Sequence, residues 1–219
     1  MLTYLMLTKE IEAKRNGLKP LKMSLSPKSR NIITKLSGLF AIDSFAGGFV
    51  LQSIVSLWFF TKFGADLITL SYVFSIAGVL TAFSFIVAAK IADRIGLVNT
   101  MVFTHVPSNV LLILVGLAPT LPLAIGFYLA RMALSQMDVP TRQSYIVAVV
   151  NEDERTAAAG ITNISRNIAQ SISPTVTGYI LQSFSYLVAP FLLGGLLKII
   201  YDVSLYFNFR NTKHQDGEM

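Results

Sequence analysis

Six long apolar stretches dominate this sequence, at about residues 36–60, 67–92, 98–118, 121–142, 155–182 and 186–208. Each reaches the roughly 20 residues that a helix needs to cross the hydrocarbon core of a bilayer. Backbone N–H and C=O groups find no water there, so such segments must satisfy them internally as helices. A membrane β-barrel would need shorter strands of alternating polarity, which the sequence lacks. The pattern predicts an all-α polytopic membrane protein with six transmembrane helices.

The composition and the turn residues agree with this prediction. Only 14% of the residues are charged and the mean hydropathy is +0.59, whereas about 25% of the residues of a soluble domain are charged. Turns are predicted at Gly64–Asp66, Asn99, 118–122 and 185–190. Asn151, followed by three acidic residues, resembles a capping box at the start of the fifth helix.

Lysine and arginine residues predict the orientation of the helices. They crowd a basic arm at residues 1–35 and recur in alternate loops, as the positive-inside rule requires of cytoplasmic segments. We therefore expect residues 36–208 to form the transmembrane bundle and 209–219 a cytoplasmic tail, with both termini cytoplasmic in a cell (inner) membrane. Anionic lipid headgroups account for the basic arm, so the net charge of +6 requires no nucleic acid partner.

Charged residues inside the fourth apolar stretch are the first functional signal. A charge at mid-helix costs about 2.5–3.5 kcal/mol on insertion scales, so it is usually hidden from lipid. Arg131, Ser135, Asp138 and Arg142 are spaced four, three and four residues apart. On a helix of 3.6 residues per turn they form one stripe, which we expect to face the interior.

A second polar stripe follows the fifth stretch. The residues that share one helical face there are Asn163, Arg166, Asn167, Gln170, Pro174 and Thr177. Isolated Asn or Ser side chains in such a stripe often only join neighbouring helices by hydrogen bonds. Two stripes that both contain arginines favour a solvated pathway instead.

Other polar residues in the apolar stretches allow more than one interpretation. Asp43 is either a protonatable coupling site or half of a structural ion pair. Lys198 and Asp202 are four residues apart, so we expect them to pair with each other. His105 lacks a second histidine or cysteine at ligand spacing and is expected to be packed or at the surface. The sequence contains no cysteine and no hydrolase, metalloprotease or nucleotide-binding motif, so it predicts neither an enzyme nor a bound metal or cofactor.

Three stretches carry a family resemblance. The first is the loop between the second and third predicted helices, and the second lies within the fourth helix. AAKIADRIGLVN (88–99) is similar to the loop signature G-x-L-A-D-R-x-G-R-K, with Asp93, Arg94 and Gly96 at matching positions. LARMALSQ (129–136) is similar to an arginine-bearing helix signature, with Arg131 at the arginine.

The third stretch lies on the fifth helix and is the longest. Its small residues and proline follow the intervals of G-x8-G-x3-G-P-x2-G-G, at Gly160, Ala169, Ser173, Pro174, Thr177 and Gly178. Small residues permit close packing, and a proline inside a helix removes a backbone donor and bends it. With the first two stretches, this one resembles the C-terminal six-helix half of the major facilitator superfamily over about residues 10–210.

The resemblance implies two inverted three-helix repeats and a secondary transporter that moves a small solute by alternating access, driven by an ion such as the proton. The implied pathway residues are Asp43, Arg131, Ser135, Asp138, Arg166, Asn167 and Gln170, with a gating loop at Asp93, Arg94 and Gly96. The first and fourth helices would line the cavity, the second and fifth would contribute to it, and the third and sixth would face lipid. The basic arm resembles a linker between halves, so the expected partner is an N-terminal six-helix half or a second copy of the chain. The alternative is an inert half-carrier that serves as a membrane assembly or structural subunit.

Overall fold

The computed structural model describes residues 25–184 and 187–210 of the chain, and in this part it is entirely helical, without strands. The helices are α1 (Pro27–Gly48), α2 (Gln52–Phe63), α3 (Leu67–Ile95), α4 (Leu97–Leu117), α5 (Leu121–Ser135), α6 (Asp138–Ala148), α7 (Arg155–Phe184) and α8 (Ala189–Phe209). Most of the predicted basic arm, most of the tail and part of the turn predicted at 185–190 lie outside the described residues.

Within the described residues, four helical stretches are long and apolar enough to cross a membrane. They are Pro27–Phe63, Leu67–Ile95, Leu97–Leu117 and Ala189–Phe209. The fourth and fifth predicted segments correspond to α5 with α6 and to α7. Those helices carry the two polar stripes, which lower their mean hydropathy. The prediction of apolar helices that suit a membrane is therefore confirmed, and four stretches of the described residues meet the length and hydropathy that a span needs.

The first predicted segment is broken between α1 and α2. The chain passes from Gly48 to Gln52 with short-range backbone bonds, such as the one from Phe49 N to the Ala46 oxygen at 3.2 Å. At this break α1 comes very close to α7, since a Cβ added to Gly48 would lie 2.4 Å from the Cβ of Ser173. Only glycine permits this approach, so Gly48 fixes where the first and fifth helical segments meet.

The prediction of one continuous helix over 121–142 is wrong. α5 ends at Ser135 and α6 begins at Asp138, because Pro140 has no N–H for the carbonyl of Gln136 and its ring clashes with that carbonyl. The joint is held instead by a shorter-range bond from Val139 N to the Gln136 oxygen, 3.2 Å long.

Two predicted helix ends also differ in detail. The reversal after α3 occurs at Gly96, whose φ of +86° favours glycine, and Asn99 lies inside α4, donating to the Ile95 carbonyl at 2.7 Å. In contrast, the predicted turn at Gly64–Asp66 is confirmed. There Asp66 caps α3 by accepting a 2.9 Å bond from Thr69 N. Hydrogen bonds with the side chain and the backbone of Thr69 lower the pKa of Asp66.

The capping box predicted at Asn151 is absent. Residues Glu152–Glu154 form a 3₁₀ turn, and the Asn151 side chain makes no cap hydrogen bond but donates to Glu154 Oε2 at 3.1 Å. The Glu154 carboxylate accepts from the backbone N–H of Ser26, the residue that caps α1. Burial raises the pKa of Glu154, but hydrogen bonds from Ser29, Ser26 and Asn151 outweigh it and leave this pKa below its ordinary value. Glu154 thereby joins the starts of α1 and α7.

Buried apolar side chains form two separate clusters, one toward each end of the bundle. The first cluster joins the starts of α1, α4 and α7 to α6 and the end of α8, and includes Phe40, Tyr145 and Leu205. The second joins α2 and the starts of α3, α5 and α8 to the end of α4, and includes Trp58 and Phe191. Polar side chains occupy the level between the two clusters.

The expectation that the third and sixth helical segments mainly face lipid is wrong. These segments, α4 and α8, pack against each other and place many side chains in the interior, including buried His105 and Lys198. The second segment, α3, is instead the least buried of the four candidate spans, with Leu67 and Phe83 among many uncovered apolar side chains.

Candidate functional site

A cavity of about 300 Å³ lies between the two apolar clusters. Its wall is unusually rich in charged and polar side chains, and its lining residues are Asp43, Ser44, Gly47, Val50, Gln52, His105, Tyr128, Arg131, Met132, Ser135, Gln136, Asp138, Val139, Arg142, Arg166, Gln170 and Lys198. The size falls in the range of small-molecule sites. α3 contributes none of these residues, whereas α4 and α8, which were expected to face lipid, each contribute one.

Asp43 on α1 is the centre of an ion-pair network. Its Oδ1 accepts a hydrogen bond from Lys198 Nζ of α8 at 2.5 Å, and its Oδ2 accepts one from Arg142 Nη1 of α6 at 3.5 Å. His105 Nε2 of α4 lies 3.9 Å from Oδ1. Asp43 and its partners are almost fully buried, so the carboxylate is held by groups from three other helices in a medium that screens charge weakly.

Arg142 joins this network to a second carboxylate. Its Nη2 donates to Asp138 Oδ2, one turn earlier on α6. Its guanidinium also lies over the ring of Phe40, 5.2 Å from the centroid. Arg142 therefore ties the start of α6 to α1.

Asp202 on α8 is paired with His105 and Asn109 of α4. Its Oδ1 lies 2.8 Å from His105 Nδ1, and its Oδ2 accepts a 2.8 Å bond from Asn109 Nδ2. A carboxylate only accepts, so His105 donates from Nδ1. The predicted pairing of Lys198 with Asp202 is wrong, because Lys198 is bonded to Asp43. His105 is packed in the interior, 3% exposed.

Two further arginines reach the cavity from α5 and α7. Arg131 Nη1 is 3.3 Å from the sulfur of Met132, and its Nε is buried without a hydrogen-bond partner. Arg166 Nε donates to the hydroxyl of Ser44 on α1 at 3.1 Å. In the part of the chain that the structure describes, neither guanidinium has a carboxylate within 4 Å.

Most of the pathway residues expected from the sequence line this one cavity. They are Asp43, Arg131, Ser135, Asp138, Arg166 and Gln170. Asn167 is exposed on α7 and does not belong to the wall. Sequence reasoning missed His105 and Lys198 as lining residues. The available signal was a titratable side chain within an apolar stretch, which by default indicates function.

The other predicted residues lie away from the cavity. Asp93 and Arg94 are exposed in the last turn of α3, next to Gly96. Of the predicted packing residues on α7, Ser173 is buried against Gly48 and Ala169 is half-buried. Pro174 lies inside α7 and is exposed.

Gly160 and Gly178 have open space around them, because an added Cβ would meet no atom within 4 Å. Close packing inside this chain is therefore provided by Gly48 on α1 rather than by these two glycines. As to bound groups, the described residues include no cluster of three or more His, Cys, Asp or Glu side chains that could hold a metal ion.

The apolar exterior and the charged interior cavity together define an all-helical membrane protein with a polar site between its helices. Comparison with known families then identifies the family. The model of the Major Facilitator Superfamily matches residues 16–218, and the chain belongs to this superfamily of membrane transporters. The membership of this superfamily that the three sequence motifs indicate is therefore confirmed.

One similar protein is the uncharacterized membrane protein YJR124C of Saccharomyces cerevisiae. The two are 29% identical over 182 residues, which cover 83% of this chain and 40% of that protein. The chain thus spans less than half the length of this relative.

Proposed function

We propose that the chain is one six-helix half of a secondary active transporter, which moves a small solute across a cell membrane by alternating access. The observation that carries the proposal is the cavity of about 300 Å³, walled by charged side chains from five helices and bounded by apolar clusters on both sides. Buried charges of this kind are costly in a membrane and typically mark a solute or ion pathway. Both termini would then be cytoplasmic, with the arm at residues 1–35 as a linker.

Helix packing supports two inverted three-helix repeats. The first would be α1 with α2, α3 and α4, and the second α5 with α6, α7 and α8. In this scheme α1 corresponds to α5, α3 to α7 and α4 to α8. The contact of α1 with α7 then corresponds to that of α5 with α3, and the contact of α4 with α5 to that of α8 with α1. The contact of α4 with α8 corresponds to itself. Exchanging the two repeats converts each pair into a pair of the set. The first segment of each repeat is also broken, into α1 and α2 or into α5 and α6. Because each repeat has three spans, the second repeat would start on the opposite side of the membrane and so be inverted relative to the first.

The exposed face of α7 supports a partner half. Gly160, Asn163, Asn167, Pro174 and Gly178 follow one another at intervals of three, four, seven and four residues, and all are exposed. Asparagine amides facing lipid would lack hydrogen-bond partners, whereas small and polar residues suit a helix–helix contact. We expect an N-terminal six-helix half, or a second copy of the chain, to cover this face and close the cavity.

The network around Asp43 supports proton coupling. A proton on Asp43 would remove the negative charge that holds Lys198 of α8 and Arg142 of α6. Contacts between α1 and these helices would weaken, which links proton uptake to helix movement. The coupling ion in this proposal is therefore the proton, with Asp43 as its site.

The test measures solute-driven proton movement. Tagged protein, purified with whatever native partner co-purifies, is reconstituted in liposomes that contain the pH dye pyranine. Outward gradients of succinate, glycerol phosphate, glucose and choline are applied one at a time. We expect one solute class to drive proton flux, which Arg131→Ala and Asp43→Asn abolish and Arg30→Ala preserves, since Arg30 is exposed at the start of α1.

Two results would count against the proposal. Normal flux in Arg131→Ala, at matched protein content, would exclude that residue from the pathway. Absence of flux for every solute with the unsubstituted protein would favour the alternative, a structural subunit that does not transport.

A further inference from the structure

The wall of the cavity carries more positive than negative charge. Its permanently basic residues are Arg131, Arg142, Arg166 and Lys198, and its carboxylates are Asp43 and Asp138. Lys198 bonds to Asp43, and Arg142 bonds to both carboxylates. Both acids are thus taken up by these two bases, and two arginines remain without an ionic partner among the described residues.

Arg131 has hydrogen-bond donors without good acceptors among the described residues. Its Nε is buried without a partner, and its Nη1 contacts only the thioether of Met132, at 3.3 Å. A thioether is a weak acceptor, whereas an unmet hydrogen bond at a buried charged group is costly. An oxyanion in the cavity would supply the missing acceptor.

Arg166 is in a similar state on α7. Its Nε donates to the hydroxyl of Ser44 at 3.1 Å, which fixes the guanidinium against α1. The described residues offer no acceptor for its two terminal nitrogens, and Gln170, one turn further along α7, lines the same cavity. A guanidinium oriented at one edge leaves its planar fork available for a carboxylate or phosphate group.

Asp202 lies behind the wall and does not cancel the excess charge. Its two oxygens are occupied by His105 and Asn109, so it makes no ion pair with either free arginine. With Asp202 included and His105 neutral, four basic residues face three carboxylates, so the formal excess of positive charge falls from two to one. The cavity stays positive with Asp202 included.

We infer that Arg131 and Arg166 bind the anionic group of the transported solute, a small organic anion that carries a carboxylate or phosphate. This inference rests on the proposed transport function and specifies its substrate class. The solute oxyanion accepts hydrogen bonds from both guanidinium groups and neutralises the excess charge, while Asp43 keeps Lys198 and Arg142 out of the site.

The test is equilibrium binding without any gradient. The protein with its co-purified partner is placed in nanodiscs of neutral phosphatidylcholine, so that no anionic lipid competes, and ionic strength is held constant. Succinate, glycerol phosphate, inorganic phosphate, glucose and choline are titrated while the thermal unfolding midpoint is followed, because a ligand of the folded state raises it. Succinate and glycerol phosphate separate the carboxylate from the phosphate class.

We expect stabilisation by at least one of the anions and by neither glucose nor choline. Arg131→Gln and Arg166→Gln should each weaken anion binding at least about tenfold, the effect of losing one charge-assisted hydrogen bond. Arg131→Lys keeps the charge and should restore part of the affinity. Arg30→Gln removes an equal charge from the exposed start of α1 and should leave affinity unchanged.

Other outcomes separate this inference from the proposed function. Binding of glucose or choline that is unaffected by Arg131→Gln overturns the inference of an anion site. If those compounds also drive proton flux in liposomes, the proposed transport function is still supported. Anion binding that depends on both arginines, without flux in liposomes, upholds the anion site and counts against transport. Equal anion affinity in both glutamine variants and the unsubstituted protein refutes the inference.

Discussion

Substitution of Gly48 by alanine tests the close contact between α1 and α7. The added Cβ would lie 2.4 Å from Ser173 Cβ, 2.6 Å from Ser173 Oγ and 3.3 Å from the backbone oxygen of Gln170. Carbon atoms in contact are normally about 3.5–4.0 Å apart. The hydroxyl of Ser173 can rotate away, but its Cβ and the α7 backbone cannot, so α1 and α7 must separate by about 1 Å.

The expected cost follows from overpacking. Extra methyl groups in packed interiors cost about 1–3 kcal/mol, and a clash that involves backbone belongs to the upper part of that range. About 2–3 kcal/mol corresponds to a roughly 30- to 150-fold lower ratio of folded to unfolded protein. Gly38→Ala is the matched control on the same helix, because its Cβ would meet nothing within 4 Å, and alanine favours a helix over glycine by up to about 1 kcal/mol.

The assay is unfolding in mixed micelles by increasing SDS, followed by the fluorescence of Trp58. It is the only tryptophan of the chain and is 1% exposed in the second apolar cluster. Gly48→Ala should unfold at lower SDS, and Gly38→Ala at equal or higher SDS. Adding Ser173→Gly to Gly48→Ala removes the clashing Cβ and should recover most of the loss, a coupling that a double-mutant cycle isolates. Equal midpoints for the two alanine variants would refute the close approach of α1 and α7.

Further predictions concern charged groups at three depths, all measurable by the same SDS titration. Lys198→Met leaves Asp43 with a weaker set of partners in a buried site and should cost about 3 kcal/mol, most of it recovered by adding Asp43→Asn; an unchanged midpoint for Lys198→Met alone would contradict the pair. The pKa of Glu154 is lowered from 4.5 by its hydrogen bonds, so its stabilisation is present above that pH and is lost as the pH falls further. The difference between Glu154→Gln and the unsubstituted protein should accordingly shrink from pH 7 to pH 4, and a constant difference would argue against it. Arg155→Ala breaks an exposed 3.6 Å pair with Glu152 and should cost less than about 1 kcal/mol, so a larger loss would indicate that this surface pair is stronger than its exposure suggests.

The sequence predicted the helical class well because a bilayer leaves the backbone few options. Long apolar stretches therefore mark helices directly, and glycines such as Gly64 and Gly96 stand where those helices end. The break before Asp138 was also readable, since Pro140 is visible in the sequence and breaks a helix one turn earlier. The close approach at Gly48 was not readable, because Ser173, the residue that Gly48 meets, lies on a helix distant in the sequence.

The sequence predicted which residues belong to the charged site, but it predicted the wrong ion-pair partner for Lys198. Helical periodicity correctly grouped Arg131, Asp138 and Arg142 on one side, and all three line the cavity. The same rule favoured a pair between Lys198 and Asp202, four residues apart. Periodicity says which side chains share a face, while the partner of a buried charge is set by whichever helix packs opposite, here 155 residues away.

The position of Asp43 bears on how such a site could respond to its ligands. Its carboxylate contacts side chains of α4, α6 and α8, so within the proposed repeats it joins an element of the first to two elements of the second. A buried ion pair contributes little net stability compared with apolar packing, because desolvation offsets the attraction. The strength of the ion pairs around Asp43 depends instead on the charges present in the cavity. A proton on Asp43 removes one of these charges, and an anion bound beside Arg131 and Arg166 adds a negative charge to the cavity. The apolar clusters at either end have no such dependence, so the contact between repeats that a ligand can alter is the one at the cavity.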